Sequence, residues 1–166
     1  MSTSRQRTPG LWEQLRTLLI NTGAAFVTLQ AVFALFGSSA LFPGALLRHA
    51  SFLDDADFRV LLVPGAASAY TVLWRWLIAQ GGRTALFPWG AAALYGVGIA
   101  FASIPFSGFL LGVLRGNPLL GLLLALASLL LLPALSIAMT VFGLLMGLLN
   151  GYRAYRWLRA HYRPRD

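Results

Sequence analysis

The sequence predicts an all-α polytopic membrane protein folded as one domain over residues 1–166. Four transmembrane helices form a bundle, and a C-terminal amphipathic helix lies at the membrane interface. Three observations carry this reading. Hydrophobic residues make up 58% of the chain and charged residues only 11%, whereas a soluble domain carries about a quarter charged residues. So little charge cannot coat a globule of this size in water. Second, Leu119 to Leu149 is an uninterrupted uncharged run whose polar side chains are Ser128, Ser136 and Thr140; about 20 apolar residues already cross roughly 30 Å of hydrocarbon. Third, the basic residues collect between the apolar segments in a lopsided pattern that fits an even number of crossings.

The first span covers about residues 17–36. Thr8-Pro9 predicts its start, with a capping side chain followed by proline in the first turn. Trp12 suits the head-group level, where amphipathic rings collect. Asn21 and Gln30 are costly in lipid, so both are expected to face neighbouring helices. Gly37-Ser38-Ser39 ends the span. Residues 40–57 form the one long loop, with a turn at Phe42-Pro43-Gly44 and an apolar stretch that includes Leu46, Leu47, Phe52 and Leu53. Asp54, Asp55 and Asp57 suit the start of the next helix, where free backbone N–H groups favour carboxylates, and Asp55 can pair with Arg59 across one turn.

The second span covers about 58–80, with Pro64-Gly65 near its start, and Gly81-Gly82-Arg83 turns the chain. The third covers about 85–113, with Pro88 in its first turn. Ser103, Pro105 and Ser107 mark a kink or break there, the serines being placed to satisfy carbonyls that proline frees. The fourth covers about 118–149. Asn117 caps it, Pro118 opens it, Pro133 bends it near the middle, and Asn150-Gly151 closes it. The tail from Gly151 onward is amphipathic: Arg153, Arg156, Arg159 and Arg163 fall on one side, with Tyr155, Leu158 and Tyr162 opposite. Such a helix is expected to lie along the membrane surface, near anionic lipid.

All 13 basic residues are arginine, and the net charge is +8. Four crossings place Arg5, Arg7, Arg16, Arg75, Arg83, Arg153, Arg156, Arg159, Arg163 and Arg165 on one side, against Arg48, Arg59 and Arg115 on the other. Basic excess marks the cytoplasm, so both termini are expected there, in a bacterial inner membrane. Because membrane orientation accounts for the charge, no nucleic-acid partner is implied. The Met1–Gly10 segment is polar and basic, the first apolar segment is long, and no convincing small-residue cleavage site follows it, so the first span reads as a retained anchor.

The strongest packing signal is a pair of glycine ridges, Gly108, Gly112 and Gly116 on the third helix and Gly143, Gly147 and Gly151 on the fourth. Glycines four apart line up and admit a second helix closely, either within the bundle or from another subunit or a second copy. Arg75 is the one charge set inside an apolar segment. It is placed to snorkel to the interface or to meet an anionic group, as are Arg153, Arg156, Arg159 and Arg163.

Catalytic chemistry has no support in these residues. The chain has no cysteine, and His49 and His161 fall on opposite membrane faces, so no metal or cofactor is expected. A serine nucleophile would need a nearby base, and no histidine lies in a span. The reading that follows is a non-catalytic integral subunit of a membrane complex, with membrane lipids and another membrane subunit as partners. The alternative is a small transporter or channel for a lipid-like or anionic substrate, using the Pro105 break and Arg75.

Overall fold

The computed structural model describes residues 9–37, 56–81 and 87–161. Thr8, the loop features from Ser38 to Asp55 with His49, the Gly82-Arg83 turn and Arg163 lie outside the described residues, as do the side chains of Asp57 and Arg59. Every described element is helical: α1 (Leu11–Gly37), α2 (Ala56–Gly81), α3 (Trp89–Leu114) and α4 (Pro118–His161). Three of them, α1, α3 and α4, contain stretches long and apolar enough to cross a membrane. In α2 the apolar run is diluted by Pro64, Ser68, Tyr70, Thr71 and Arg75. That composition fits its position, because α2 touches all three other helices. A helix shielded by protein can carry polar groups that its neighbours satisfy.

Each helix buries one face, and the sequence spacing sets which. On α1 the buried positions are Thr17, Asn21, Ala25, Leu29 and Val32, recurring every three or four residues as a helical stripe requires. Asn21 is fully buried and donates to Thr71 Oγ1 at 3.1 Å, as expected. Gln30 is exposed, contrary to expectation. Nine positions at 100° each place it about half a turn from Asn21, so the two cannot both face inward. On α2, Tyr70 is fully buried and donates its hydroxyl proton to the Gly96 carbonyl at 2.8 Å. Its ring meets Phe142 edge-on at 6.1 Å, so this side chain joins α2, α3 and α4.

The helix ends also have specific causes. At the start of α1, Glu13 reaches back to accept the Gly10 N–H at 3.0 Å, half of a capping box. Asn117 caps α4 as its sequence predicts, accepting the Leu120 N–H at 3.0 Å. Between α3 and α4, Asn117 N–H reaches the Gly112 carbonyl and Gly116 N–H the Val113 carbonyl. Gly116 sits at φ +73°. This is the double closure of a Schellman turn, which places glycine in the left-handed conformation. Gly116 is therefore a turn residue, not the last step of a packing ridge. Pro88 stands just before α3 and accepts the Ala92 N–H at 3.0 Å.

Pro105 does not break α3, which is continuous from Trp89 to Leu114. Nor do the serines serve the carbonyl it frees, that of Phe101. Ser103 donates to the Ile99 carbonyl and Ser107 to the Ser103 carbonyl, both at 2.7 Å. A serine hydroxyl on a helix reaches back one turn, and neither serine stands one turn beyond Phe101.

The fourth helix departs most from expectation. Asn150-Gly151 does not end it, and α4 runs 44 residues to His161, a path of about 66 Å. There is accordingly no separate C-terminal interfacial helix among the described residues. The reason lies in what these two residues do. Asn150 is buried and donates to the Met146 carbonyl at 2.9 Å, and a methyl on Gly151 would press against Ala92 and Trp89 at 3.1 and 3.3 Å. The glycine is required by close approach, not by a turn.

Contacts between α3 and α4 also change register along their length. Gly112 faces Gly121 and Gly108 faces Leu124, but Gly96 faces Gly143 and Gly147. From Gly112 back to Gly96, α3 advances 16 residues, about 24 Å, while from Gly121 to Gly143 α4 advances 22, about 33 Å. The paths meet at both ends only if α4 takes a longer, curved course. Pro133 lies inside that interval, where its missing N–H loosens the helical ladder.

Candidate functional site

The arginine-rich end of the bundle gathers the first turns of α1 and α3 and the last turns of α2 and α4. Glu13 Oε1 accepts the Trp157 indole N–H at 3.2 Å and faces His161 Nε2 at 4.0 Å. The imidazole of His161 stacks on Trp157 with 4.3 Å between centroids. Phe87, Trp89 and Tyr155 form an aromatic cluster, with Phe87 4.9 Å from Trp89 and 5.7 Å from Tyr155. Leu158 and Ala154 are buried. The apolar side of the C-terminal segment is thus occupied by protein. Arg156 and Arg159 remain exposed, lying over the rings of Tyr152 and Tyr155.

Arg153 behaves differently from these neighbours. It is half-buried and turned toward α1, donating to Thr17 Oγ1 at 3.1 Å and, more weakly, to Asn21 Oδ1 at 3.4 Å. Both acceptors are neutral. Arg16, a second guanidinium, lines the same cavity as Arg153.

These groups border a cavity of about 410 Å³ lined by Glu13, Arg16, Thr17, Trp74, Arg153 and Arg156, with His161 at its rim. Trp74 is 3% exposed, and its indole N–H has no acceptor among the described residues. A buried donor without a partner costs about 1–3 kcal/mol. The carboxamide oxygen of Asn150 is the other buried polar atom without a partner among the described residues, and Asn150 does not line this cavity.

Of the residues singled out from sequence, Arg153 and Arg156 come together here. Arg159 points elsewhere, and Arg75 is exposed, donating to Gln14 Oε1 at 3.2 Å without lining the cavity. Arg16, Thr17 and Trp74 were not legible as site residues. The available signal was the helical stripe Thr17-Asn21, two polar residues four apart on an otherwise apolar face.

Both glycine ridges are packed inside the hairpin, each against a different stretch of the opposite helix. A Cβ on Gly143 would lie 2.5 Å from Val97 Cα, and one on Gly108 would lie 3.2 Å from the Leu124 backbone. Gly147 is equally closed by Ala92 and Gly96, and Gly112 by Gly121. By contrast, Gly90 and Gly98 on α3 have open space where a side chain would begin. A lateral groove runs between α2 and α3; Gly98 is not part of its lining, but it lies one helical turn from Tyr95 and Ala102, which are. One part, about 520 Å³, is lined by Ala69, Val72, Trp76, Tyr95 and Ile99. It continues past Gly65, Ala102, Ser103 and Phe106 as a second hollow of about 510 Å³. No known protein family, curated protein or solved structure matches the chain.

Proposed function

We propose that the chain is a non-catalytic small integral subunit or accessory protein of an inner-membrane complex, crossing the bilayer four times with both termini in the cytoplasm. The ten-to-three bias of arginines supports the orientation. The ends of α1 and α4 meeting through Glu13 and Trp157 agree with an even number of crossings.

The observation that carries the subunit reading is the groove between α2 and α3. Its lining includes the small residues Gly65, Ala69 and Ala102, and Gly98, one turn along α3 from Tyr95 and Ala102, has open space where a side chain would begin. Surfaces of this kind let a second transmembrane helix approach closely, which is how helices associate where no hydrophobic drive separates protein from lipid. The occupant is a helix of a different subunit. The ridges at Gly108, Gly112, Gly143 and Gly147 are spent inside the α3–α4 hairpin, so the partner meets the groove instead.

A photo-crosslinking residue in place of Val72 tests this in native membranes. A cross-linked product of one defined mass, lost when Gly98→Leu closes the approach, supports the reading. A product of twice the chain mass assigns the groove to a second copy, and lipid adducts alone overturn the subunit reading. The alternative, a small transporter or channel for a lipid-like or anionic substrate, draws on the basic cavity beside α1. It requires flux of an anion through proteoliposomes that Arg153→Gln removes.

A further inference from the structure

We propose that the cavity between α1, α2 and α4 is a binding site for a phosphoryl group, held by Arg16 and Arg153 and carried by an anionic phospholipid of the arginine-rich leaflet. The inference rests on the chain's membrane location but not on the subunit reading.

Three observations point to an anion. Arg153 is half-buried with only neutral acceptors, Thr17 and Asn21, so its charge is hydrogen-bonded but not neutralised. Arg16 lines the same cavity, so two guanidinium groups border one space. The one carboxylate lining the cavity, Glu13, is engaged by the Gly10 and Trp157 N–H groups. Two guanidinium groups at one cavity, Arg153 half-buried and Arg16 exposed, call for a shared counter-ion, and phosphate oxygens match their forked donors.

The Trp74 N–H is independent of the arginines. It belongs to a different helix, lines the same cavity and has no acceptor among the described residues. A small shift of the indole toward the cavity would let an oxygen of the bound group accept it. The surroundings favour a lipid as the carrier. Ile20, Tyr152, Trp157 and Ala160 complete the lining beside the charged groups, and Tyr152 and, on the same end, Trp12 are exposed, as aromatic side chains are at head-group depth. A head group could enter sideways while its chains remain in the bilayer.

The test compares thermal stabilisation of the detergent-purified full chain by short-chain phosphatidylglycerol, by phosphatidylcholine of equal chain length and by inorganic phosphate. Phosphatidylglycerol should stabilise the protein saturably and phosphatidylcholine should not. Arg16→Gln should weaken the apparent affinity by about tenfold, the equivalent of one lost charge-assisted contact. Arg16 is exposed and makes no hydrogen bond across the bundle among the described residues, so this variant avoids the folding risk of Arg153→Gln. Arg159→Gln is the control for diffuse attraction, since Arg159 lies over Tyr155 and outside the cavity. Equal losses in Arg16→Gln and Arg159→Gln would overturn the site, as would no selectivity between the two lipids. Saturable stabilisation by inorganic phosphate that displaces phosphatidylglycerol would overturn the lipid assignment and give the site to a soluble phosphate.

Discussion

Arg153 on α4 and Thr17 on α1 are joined by a 3.1 Å hydrogen bond across 136 residues of sequence, and Thr17 is 2% exposed. The bond ties the last helix to the first at the end where most arginines lie. Thr17→Val keeps the shape of the side chain and removes the acceptor. A half-buried guanidinium then loses one of its two partners, which should cost about 1–2 kcal/mol. A lowered melting temperature in detergent is the expected result. An unchanged one would mean that water or lipid serves Arg153 equally well.

The glycines of the α3–α4 hairpin divide into closed and open positions, and substitution should separate them. Gly147→Ala drives a methyl into the Ala92 carbonyl and to within 3.1 Å of Gly96 Cα. Backbone cannot yield as a side-chain tip can, so a loss of about 1–3 kcal/mol is expected. Gly98→Ala meets nothing within 4 Å and removes a flexible residue from a helix interior. It should leave the isolated chain as stable, or raise stability by about 0.5–1 kcal/mol. Parallel melting curves for the two variants check the contrast.

How much of this was readable from the residues depends on the range of the interaction. The Asn117-Pro118 cap was legible because its partner, the Leu120 N–H, lies three residues away. The glycine ridges were legible as close-packing surfaces, but which stretch of the opposite helix each meets was not: Gly108 and Gly112 meet Leu124 and Gly121, whereas Gly143 and Gly147 meet Val97, Gly96 and Ala92. Their pairing depends on the register of two helices, and that register shifts around Pro133. The Thr8 cap lies outside the described residues; within them, α1 begins at Leu11 with Glu13 accepting the Gly10 N–H. The end of α4 was misread at Asn150-Gly151 because the same dipeptide serves a turn or a tight crossing, and only the approach of Ala92 and Trp89 decides which. The basic cavity was half legible. Arg153 and Arg156 stand out in sequence, but Trp74 and Arg16 join them only through tertiary packing.

Glu13 is the chain's one glutamate, and it performs two tasks, accepting the Gly10 N–H and the Trp157 indole N–H. Glu13→Ala should fray the first turn of α1 and release Trp157, costing about 1 kcal/mol. Tryptic cleavage after Arg156 and Arg159 should quicken in consequence, because the last turns of α4 lose a tether. Glu13→Gln retains one carbonyl acceptor and should fall between the two. Equal cleavage rates in all three proteins would show that the aromatic cluster of Phe87, Trp89 and Tyr155 holds this end unaided.

The membrane topology can be tested with single-cysteine reporters, since the native chain contains no cysteine to confuse the labelling. Ala160 and Arg115 are both exposed. They stand at the far end of α4 and in the turn before it, so the proposed path puts them on opposite sides of the bilayer. A membrane-impermeant maleimide applied to intact spheroplasts should label Arg115→Cys at once and Ala160→Cys only after lysis. Labelling of Ala160→Cys from outside, with Arg115→Cys protected, would invert the orientation inferred from the arginine bias. Labelling of both from one side would mean that α4 returns to the face on which it started. The curvature around Pro133 gives that outcome a specific structural meaning: the hairpin tip from Phe109 to Leu124 would enter the bilayer without crossing it, and the uncharged run of α4 would be a re-entrant segment, not a span.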